Sequence, residues 1–373
     1  MKKQILAAAL SASMAAGLSG VSVYAADDTF TVGICQLVQH EALDTATQGF
    51  KDALTEAFGD KVTFDEQNAQ GDSNTCSTII NDFVADDVDL ILANATAALQ
   101  AAAAGTADIP ILGTSVTEYG VALDLDDFDG TVGGNISGTS DLAPLDQQAA
   151  MLNELFPDAK NVGLLYCSAE ANSQYQVDTV KAALEELGYT CEYYAFSDSN
   201  DLSSVVTSAS TECDVIYVPT DNTAASNTEI INNICEPAGV PIIAGEEGIC
   251  EGCGVATLSI SYYDLGVATG EMAVRILQDG EDISEMAIEY APNFTKKYNP
   301  VLCESLGIEV PDGYVAIGEE AEAEEDAAAA EDTEEAAADE TEAEDTAEET
   351  TEAADTADTE ETAADETAEE EAE

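Results

Sequence analysis

One short pattern constrains the fold more than any other: a run of apolar residues that stops abruptly in small polar ones. The clearest example is residues 214–222, where the apolar Val215–Val218 precede a Pro-Thr-Asp-Asn turn. A short continuous apolar run is typical of a strand buried in a parallel sheet. Ligands of open α/β sheets bind beyond the carboxyl ends of the strands. The pattern therefore puts Asp221 and Asn222 where a ligand is expected.

The same pattern occurs earlier in the chain, at residues 88–96. In both places a helix-like segment follows, and then a second apolar run led by proline, at residues 108–115 and 239–246. This recurrence indicates two similar β-α-β units, although any two parallel-sheet domains share the rhythm. The sequence therefore predicts an α/β protein with two doubly wound parallel-sheet lobes, joined by a multi-strand hinge, whose strand ends face a shared cleft.

The order of the predicted elements gives the limits of the lobes. The N-terminal lobe is assigned to residues 29–143 and 261–290, and the C-terminal lobe to residues 144–260 and 291–317. Glycines permit bending, so the glycine-rich residues 131–138 are interpreted as a crossing between the lobes. The glycine- and acid-rich residues 245–254 are predicted to form a flexible cleft loop.

The chain is strongly acidic, with a formal net charge of −68 at pH 7, and the acid excess is not confined to its C-terminus. Nucleic acids and anionic membranes are bound through basic patches, so neither is expected as a partner. From residue 319 onward only Ala, Glu, Asp and Thr occur, and residues 318–373 are predicted to be a disordered acidic tail. The tail is interpreted as a solvating spacer, with a spacer through a cell wall or a weak cation sink as the alternatives.

Residues 1–25 have the organisation of an export signal. Two lysines precede an apolar stretch, and Val-Tyr-Ala at 23–25 supplies small residues at the cleavage positions. A membrane anchor is the alternative, but serines and glycines dilute this short stretch. The first cysteine, Cys35, lies inside the first predicted strand, so no lipoprotein cysteine is seen. We therefore expect an exported, extracytoplasmic protein, in the periplasm or at the cell surface.

Nine cysteines are present, and the odd number argues against a complete disulfide framework. Only Cys250 and Cys253 have a diagnostic spacing. A structural zinc site needs four ligands, and the chain has no second such pair and a single histidine, His40. No metal is expected, and a local disulfide and two free thiols both remain open for this pair.

No pattern of a hydrolase, a metalloprotease or a phosphate-binding loop occurs in the sequence. A single histidine leaves little material for acid–base catalysis. Carboxylates are abundant because the whole chain is acidic, so their number does not indicate a catalytic site. The protein is predicted not to be an enzyme and to need no cofactor.

The strand-end residues suit a small zwitterion. An ammonium group requires an anion, and Asp221 is the candidate, although it also suits an N-cap of the helix that follows. The only arginine, Arg275, lies on a predicted helix. Hydroxyl and backbone N–H groups at the strand ends of the other lobe are therefore expected to bind the ligand carboxylate: Thr96, Ser115 and Thr117. Each of these also suits a turn or a cap.

Several ordered motifs make the chain resemble a known family. They are His-Glu-Ala-Leu-Asp at 40–44, Asn-Ala-Gln-Gly-Asp at 68–72, Glu-Ala-Asn-Ser at 170–173, Tyr-Val-Pro-Thr-Asp-Asn-Thr at 217–223 and Tyr-Tyr-Asp-Leu-Gly at 262–266. With these motifs, residues 31–311 resemble the exported substrate-binding proteins of ABC transporters of the aromatic-amino-acid type, which have the type I periplasmic-binding-protein fold.

The resemblance implies a three-strand hinge and a ligand enclosed between the lobes. It implies that Thr96, Ser115 and Thr117 hold the ligand carboxylate and that Asp221 holds the amine. It also implies a set of residues that line the rest of the pocket: Gln36, His40, Glu170, Asn172, Asn222 and Asp264.

The same resemblance implies the function. Similar members bind tryptophan, tyrosine or phenylalanine, and a monomer that delivers an amino acid to an ABC transporter permease is expected. A sensor subunit that feeds a membrane receptor is the alternative. The acidic tail and the missing lipid-anchor cysteine depart from the family pattern.

Overall fold

The protein contains two mainly parallel sheets, and helices cover both faces of each sheet. The structure is a computed structural model that describes residues 29–291 and 293–318. The predicted export signal, residues 1–25, and the predicted tail beyond Gly318 lie outside the described residues. Within those ranges, no helix combines the length and the apolar character that crossing a bilayer requires.

The first lobe alternates strands and helices from the N-terminus. Its elements before the first crossing are β1 (Phe30–Gln36), α1 (Glu41–Phe58), β2 (Val62–Asn68), α2 (Ser73–Ala85), β3 (Leu90–Asn94), α3 (Thr96–Gly105), β4 (Ile111–Val116), α4 (Tyr119–Ala122) and β5 (Ile136–Ser140).

The second lobe repeats this alternation. Its elements are α5 (Leu145–Leu155), β6 (Asn161–Cys167), α6 (Ala171–Glu186), β7 (Thr190–Phe196), α7 (Ser199–Glu212), β8 (Val215–Val218), α8 (Asn222–Ala225), α9 (Thr228–Ala238), β9 (Ile242–Ala244), α10 (Glu247–Cys253) and β10 (Ala256–Ser259).

The C-terminal part of the chain then contributes to both lobes. Helix α11 (Tyr262–Val274), extended by a π-helical turn at Arg275–Asp279, and β11 (Glu289–Tyr290) belong to the first. Elements β12 (Thr295–Tyr298), α12 (Pro300–Leu306) and β13 (Val315–Ala316) belong to the second.

The strand order shows that the two lobes share one topology. The first sheet runs β11-β5-β4-β3-β1-β2, and the second runs β13-β12-β10-β9-β8-β6-β7. The order β2-β1-β3-β4-β5 is therefore matched by β7-β6-β8-β9-β10. All pairs are parallel except β10 with β12. The predicted α/β fold with two doubly wound lobes is confirmed.

The continuous apolar runs exist because both faces of each sheet are covered. In β3, Leu90 and Leu92 pack with residues of α1 and α11 on one face. Ile91 and Ala93 pack with residues of α2 and α3 on the other. Alternate residues of a strand point to opposite faces, so a strand covered on both sides needs apolar residues at every position.

The chain crosses between the lobes three times: between Ser140 and Leu145, between Ser259 and Tyr262, and between Tyr290 and Thr295. The prediction that residues 131–138 form a crossing is wrong, because β5 already pairs with β4 inside the first sheet. Gly138 has a φ of 144°, and a Cβ there would overlap the backbone of Gly113. This glycine permits close approach of two strands instead of a bend between lobes.

The prediction that residues 245–254 form a flexible loop is also wrong, because most of them form α10. The Glu246 carboxylate accepts hydrogen bonds from the backbone N–H groups of Gly248 (2.7 Å) and Ile249 (2.6 Å), which caps the helix. Ile249, Cys250 and Cys253 are buried on its inner face. Both cysteines are free thiols, as are the other seven.

Helix α11 brings the chain back to the first lobe and packs very closely against α1. A Cβ added at Gly266 would overlap the carbonyl oxygen of Ala46. A Cβ added at Gly49 would overlap the carbonyl oxygen of Tyr263. The two helix backbones can approach this closely only because glycine occupies both positions.

The glycine contact predicts an unusual effect of a conservative change. In an exposed helix, glycine to alanine stabilises by up to ~1 kcal/mol. For Gly266→Ala we expect a loss of about 2 kcal/mol in the free energy of unfolding, because the new methyl group displaces the α1 backbone. Urea unfolding followed by circular dichroism measures it. The control Glu271→Ala, on the exposed face of α11, changes stability by less than about 0.5 kcal/mol. A Gly266→Ala protein as stable as the wild type would contradict this account.

Candidate ligand-binding site

Side chains that follow strands of both lobes meet in the gap between the sheets. His40, at the start of α1, donates its Nε2 hydrogen to Oδ1 of Asn222 in the second lobe at 3.2 Å. Asn222 Nδ2 in turn donates to Glu170 Oε2 at 2.7 Å. Burial lowers the pKa of His40, which keeps the imidazole neutral. Three of the predicted residues therefore form one hydrogen-bonded chain between the lobes.

Ser115, near the end of β4, is unusual in two ways. Its φ is 53°, a left-handed value that non-glycine residues seldom adopt. Its side chain is only 6% exposed, and its Oγ has no hydrogen-bond partner among the described residues. A buried, unsatisfied hydroxyl on strained backbone is a feature of functional sites. The hydroxyl is therefore available to a ligand.

Thr96 and Thr117 lie on the same edge of the first sheet as Ser115. Strands β3 and β4 pair in parallel, so the residues at and beyond their carboxyl ends are neighbours. Thr96 is the buried first residue of α3, and Thr117 is buried directly after β4. The backbone carbonyl of Thr117 accepts a hydrogen bond from Ser140 Oγ at 2.8 Å. The structure thus places the three predicted residues at one edge of the first sheet.

Asp221 faces this edge from the second lobe and caps α8. Its Oδ1 accepts from the backbone N–H of Ala224 at 2.8 Å, and its Oδ2 accepts from that of Cys167 at 2.6 Å. The side chain is 1% exposed, and burial followed by the charge of Glu170 raises its pKa to about 8. The capping role that the sequence left open is therefore present through Oδ1, and the Cys167 N–H at the end of β6 engages Oδ2.

Glu170 and Asn172 organise the loops beside Asp221. The Glu170 carboxylate accepts hydrogen bonds from the backbone N–H groups of Asn222 (3.0 Å) and Thr223 (2.9 Å). The Thr223 hydroxyl also donates to it at 2.7 Å. Asn172 is buried and donates to the carbonyl of Thr220 at 3.1 Å. These two predicted residues hold the shape of the second lobe's strand ends.

Gln36 and Asp264, also expected in the pocket, differ from the others. Gln36 is buried inside the first lobe, where its amide donates to Asp44 Oδ1 at 2.6 Å and accepts from the Thr47 hydroxyl at 2.7 Å. It therefore fixes α1 to β1. Asp264 lies in the first turn of α11 with an exposed side chain, and its backbone N–H donates to Ser261 Oγ at 3.2 Å. The structure does not bring Asp264 to the other site residues.

Sequence reasoning missed Asp141, the residue that follows β5. Its Oδ2 accepts a hydrogen bond from the Tyr262 hydroxyl at 3.0 Å, and its Oδ1 is buried without a partner among the described residues. Burial raises its pKa to about 6, against the opposing effect of the Thr117 and Tyr262 hydroxyls. The signal was present, since residues 136–141 are a strand followed by a polar residue, but their glycine and hydroxyl content suggested a crossing.

Glu246 and Glu41 were missed as well. Glu246 is buried, and its burial raises its pKa to about 7. Glu41, the first residue of α1, lies beside Glu251 of the second lobe. Partial burial and the bond to Glu251 raise the pKa of Glu41 to about 7, while Lys297 acts in the opposite direction. Carboxyl groups of the two lobes therefore lie close to each other in the cleft.

Two recesses lie between the lobes. One, of about 210 Å³, is lined by Glu41, Glu246, Tyr262 and Lys297 among others. The other, of about 280 Å³, is lined on one side by Leu37 and Ala97 and on the other by Glu170, Asn222 and Thr223. Each is smaller than a typical drug-sized pocket, which agrees with a closed arrangement of the lobes.

Arg275 and Lys297 are already paired with carboxylates of the protein. Arg275 is 40% exposed in its side chain and pairs with Glu289 (2.6 Å) and Glu281 (3.3 Å). Lys297 pairs with Glu247 at 2.5 Å. The first lobe therefore offers neutral hydroxyl donors, and the cleft as a whole offers buried carboxyl groups. This combination fits a small molecule with a carboxylate and an ammonium group.

Comparison with known proteins gives consistent relatives. A family model described as ABC transporter substrate binding protein matches residues 31–321. A tyrosine-binding protein of Clostridioides difficile (strain R20291) is 37% identical over 263 residues, which are 69% of this chain and 75% of that protein.

Two solved structures share the fold. The ABC domain in complex with L-Trp from Streptococcus pneumonia is 33% identical, with a TM-score of 0.74 over 77% of this chain and 100% of that one. The ligand-free, open structure of a Clostridium difficile substrate-binding protein with adhesive properties is 37% identical, with a TM-score of 0.61 over 78% of this chain and 99% of that one. With its two lobes, its hinge and this family match, the chain belongs to the substrate-binding proteins of ABC transporters.

Proposed function

We propose that this chain captures an amino acid with an aromatic side chain in the cleft between its lobes and delivers it to the permease of an ABC importer. The observation that carries the proposal is the buried Ser115 hydroxyl, which has no hydrogen-bond partner among the described residues. Tyrosine and tryptophan are the ligands named for the C. difficile and S. pneumonia relatives, and they support the aromatic assignment.

The ligand carboxylate is proposed to bind Thr96, Ser115 and Thr117. Hydroxyl and backbone N–H groups can hold a carboxylate without a cation when they are fixed in advance. The ligand ammonium group lies among the buried carboxyl groups of the cleft, where Asp221 is the residue expected from the sequence. An anionic ligand would add to the negative field of the site and is disfavoured.

Closure is proposed to be a population shift in which the ligand contacts both lobes and so stabilises the closed form. Two observations support a closed arrangement here. His40 and Asn222 are hydrogen-bonded between the lobes at 3.2 Å. The TM-score is also higher with the L-Trp complex (0.74) than with the open, ligand-free relative (0.61), although the latter is more similar in sequence.

Substrate-binding proteins of ABC transporters are extracytoplasmic. We propose that residues 1–25 direct the export of this chain and that the protein acts as a monomer. The permease is the proposed membrane partner. The alternative function is a sensor subunit that feeds a membrane receptor, and it would use the same pocket. The transport and sensor functions differ in which membrane protein binds the closed form.

Calorimetry with the twenty amino acids tests the ligand. We expect binding of tyrosine, tryptophan or phenylalanine, and an affinity loss of about tenfold or more for Ser115→Ala, because a hydrogen bond to a charged group is removed. The control Ser77→Ala removes a hydroxyl that bonds within α2 and leaves binding unchanged. The absence of any binding at millimolar amino acid, or wild-type affinity in Ser115→Ala, would remove the proposal.

Closure is expected to weaken with rising pH because of Glu41. In an open form its pKa returns towards the ordinary value of 4.5, whereas it is about 7 in the closed arrangement. The closed form therefore binds the proton more tightly, so its advantage is complete below about 4.5 and is lost as the pH rises through about 7. Ionised Glu41 then faces the carboxylates of Glu247 and Glu251, and the nearby Lys297 ammonium offsets their repulsion in part.

Small-angle scattering of the ligand-saturated protein between about pH 5 and 8 measures the closed fraction. Glu41→Gln is expected to flatten the pH dependence, while Glu56→Gln, exposed on the same helix, follows the wild type. Identical pH profiles for Glu41→Gln and the wild type would show that this carboxyl does not oppose closure.

A further inference from the structure

Two buried polar atoms without partners lie at the same edge of the first sheet. They are Ser115 Oγ and Asp141 Oδ1, on side chains that are 6% and 4% exposed, and neither has a hydrogen-bond partner among the described residues. Strands β4 and β5 pair with Val116 opposite Ser140, and the Asp141 backbone N–H donates to the Val116 carbonyl at 3.2 Å. Ser115 and Asp141 therefore lie at the carboxyl ends of two adjacent strands.

The two atoms differ in what they lack. A serine hydroxyl can donate a hydrogen bond, whereas an ionised carboxylate oxygen has no hydrogen to donate and acts only as an acceptor. A buried charge also requires a compensating charge or donor, since its desolvation is costly. An α-amino acid carries an acceptor, the carboxylate, and a cationic donor, the ammonium group, one carbon atom apart. Its two charged groups match the two unsatisfied atoms.

The other buried carboxyl groups of the cleft are already engaged. Both oxygens of Asp221 accept backbone N–H groups, at 2.8 and 2.6 Å. Both oxygens of Glu246 do the same, at 2.7 and 2.6 Å. Glu170 accepts from the backbone and side chain of Asn222 and Thr223. In the part of the chain that the structure describes, Asp141 is the carboxyl with a buried, unused oxygen.

We propose that Asp141, rather than Asp221, binds the ammonium group of the ligand. The proposal rests on the proposed function and makes it more specific. Both charged groups of the amino acid are then held by the first lobe. Thr96, Ser115 and Thr117 face the carboxylate, and Asp141, which the Thr117 hydroxyl adjoins, faces the ammonium group. The second lobe, with its capped carboxyls, closes over the ligand and contacts the remainder of it.

The position of Asp141 also connects the ligand to the hinge. Asp141 begins the first crossing between the lobes, and its Oδ2 accepts from Tyr262, which directly follows the second crossing. Tyr119 and Tyr262 are the titratable neighbours that feel its charge, and burial raises its pKa to about 6. An ammonium group at Oδ1 would favour the ionised form, which strengthens the Tyr262 bond between two crossings.

The test is calorimetry with L-tyrosine and L-tryptophan on Asp141→Asn and the matched variant Asp221→Asn. Each change keeps the side-chain shape and replaces the carboxyl group by an amide. We expect Asp141→Asn to weaken both amino acids by about 100-fold, the scale of a hydrogen bond to a buried charge. Asp221→Asn is expected to cost less than about tenfold. The reverse order of the two variants, or a loss below about fivefold in Asp141→Asn, overturns the proposal.

A ligand without the amine separates charge recognition from a general distortion of the pocket. For 3-(4-hydroxyphenyl)propanoate, the deaminated form of tyrosine, we expect Asp141→Asn to bind at least as tightly as the wild type, because no ammonium group is lost and a like charge is removed. If Asp141→Asn loses this acid as strongly as L-tyrosine, Asp141 is structural and the proposal fails.

A crystal structure of the wild-type complex with L-tyrosine or L-tryptophan decides the point even if Asp141→Asn does not fold. The expected distance from the ligand nitrogen to Asp141 Oδ1 is about 2.8 Å. A ligand nitrogen on Asp221 or Glu246 instead overturns the assignment but leaves the proposed function intact. Failure of the wild type to bind any amino acid overturns the proposed function itself.

Discussion

The close contact of α11 with α1 is the interaction on which both the fold and the site depend. Helix α11 is the element that carries the chain from the second sheet back to the first, and Gly266 lets it lie directly on the α1 backbone. Thr269 then bonds to Thr139 (2.8 Å) and Thr114 (3.1 Å), which fixes α11 to β5 and β4. Its first residue, Tyr262, is thereby held beside Asp141. A shift of this helix would move the hinge and the ligand site together.

Electrostatics constrains the site just as strongly. The chain has 9 Lys and Arg residues against 77 Asp and Glu, so cations are scarce. Asp221 and Glu246 are instead stabilised by backbone N–H groups at helix starts and, for Asp221, by that of Cys167 at the end of β6. Burial still raises the pKa of each carboxyl. A ligand that brings a positive charge reduces this cost, and one that brings only negative charge increases it. The build of the cleft therefore supports the proposed preference for a zwitterion.

The fold could be predicted from the sequence because continuous apolar runs are a direct consequence of burying a strand on both faces. A strand covered on both faces must be apolar throughout, and Leu90–Asn94 and Val215–Val218 are recognisable for that reason. The errors at residues 131–138 and 245–254 share one cause. Composition does not distinguish a glycine that bends from one, such as Gly138, that permits close packing, and it does not reveal that Glu246 caps a helix.

The same limit explains the site. The polar residues that follow strands point to one edge of each sheet, but residue type does not say which side chain is already satisfied. Asp221 looks like the ammonium partner in sequence, yet its oxygens are used by Ala224 and Cys167. Asp141 follows a strand whose hydroxyls bond to distant segments, as Ser137 does to the carbonyl of Met286 at 3.1 Å, so no apolar run marks it. Which carboxylate keeps an open oxygen is decided by contacts between residues far apart in the chain, and the proposed assignment of the ammonium group depends on that property.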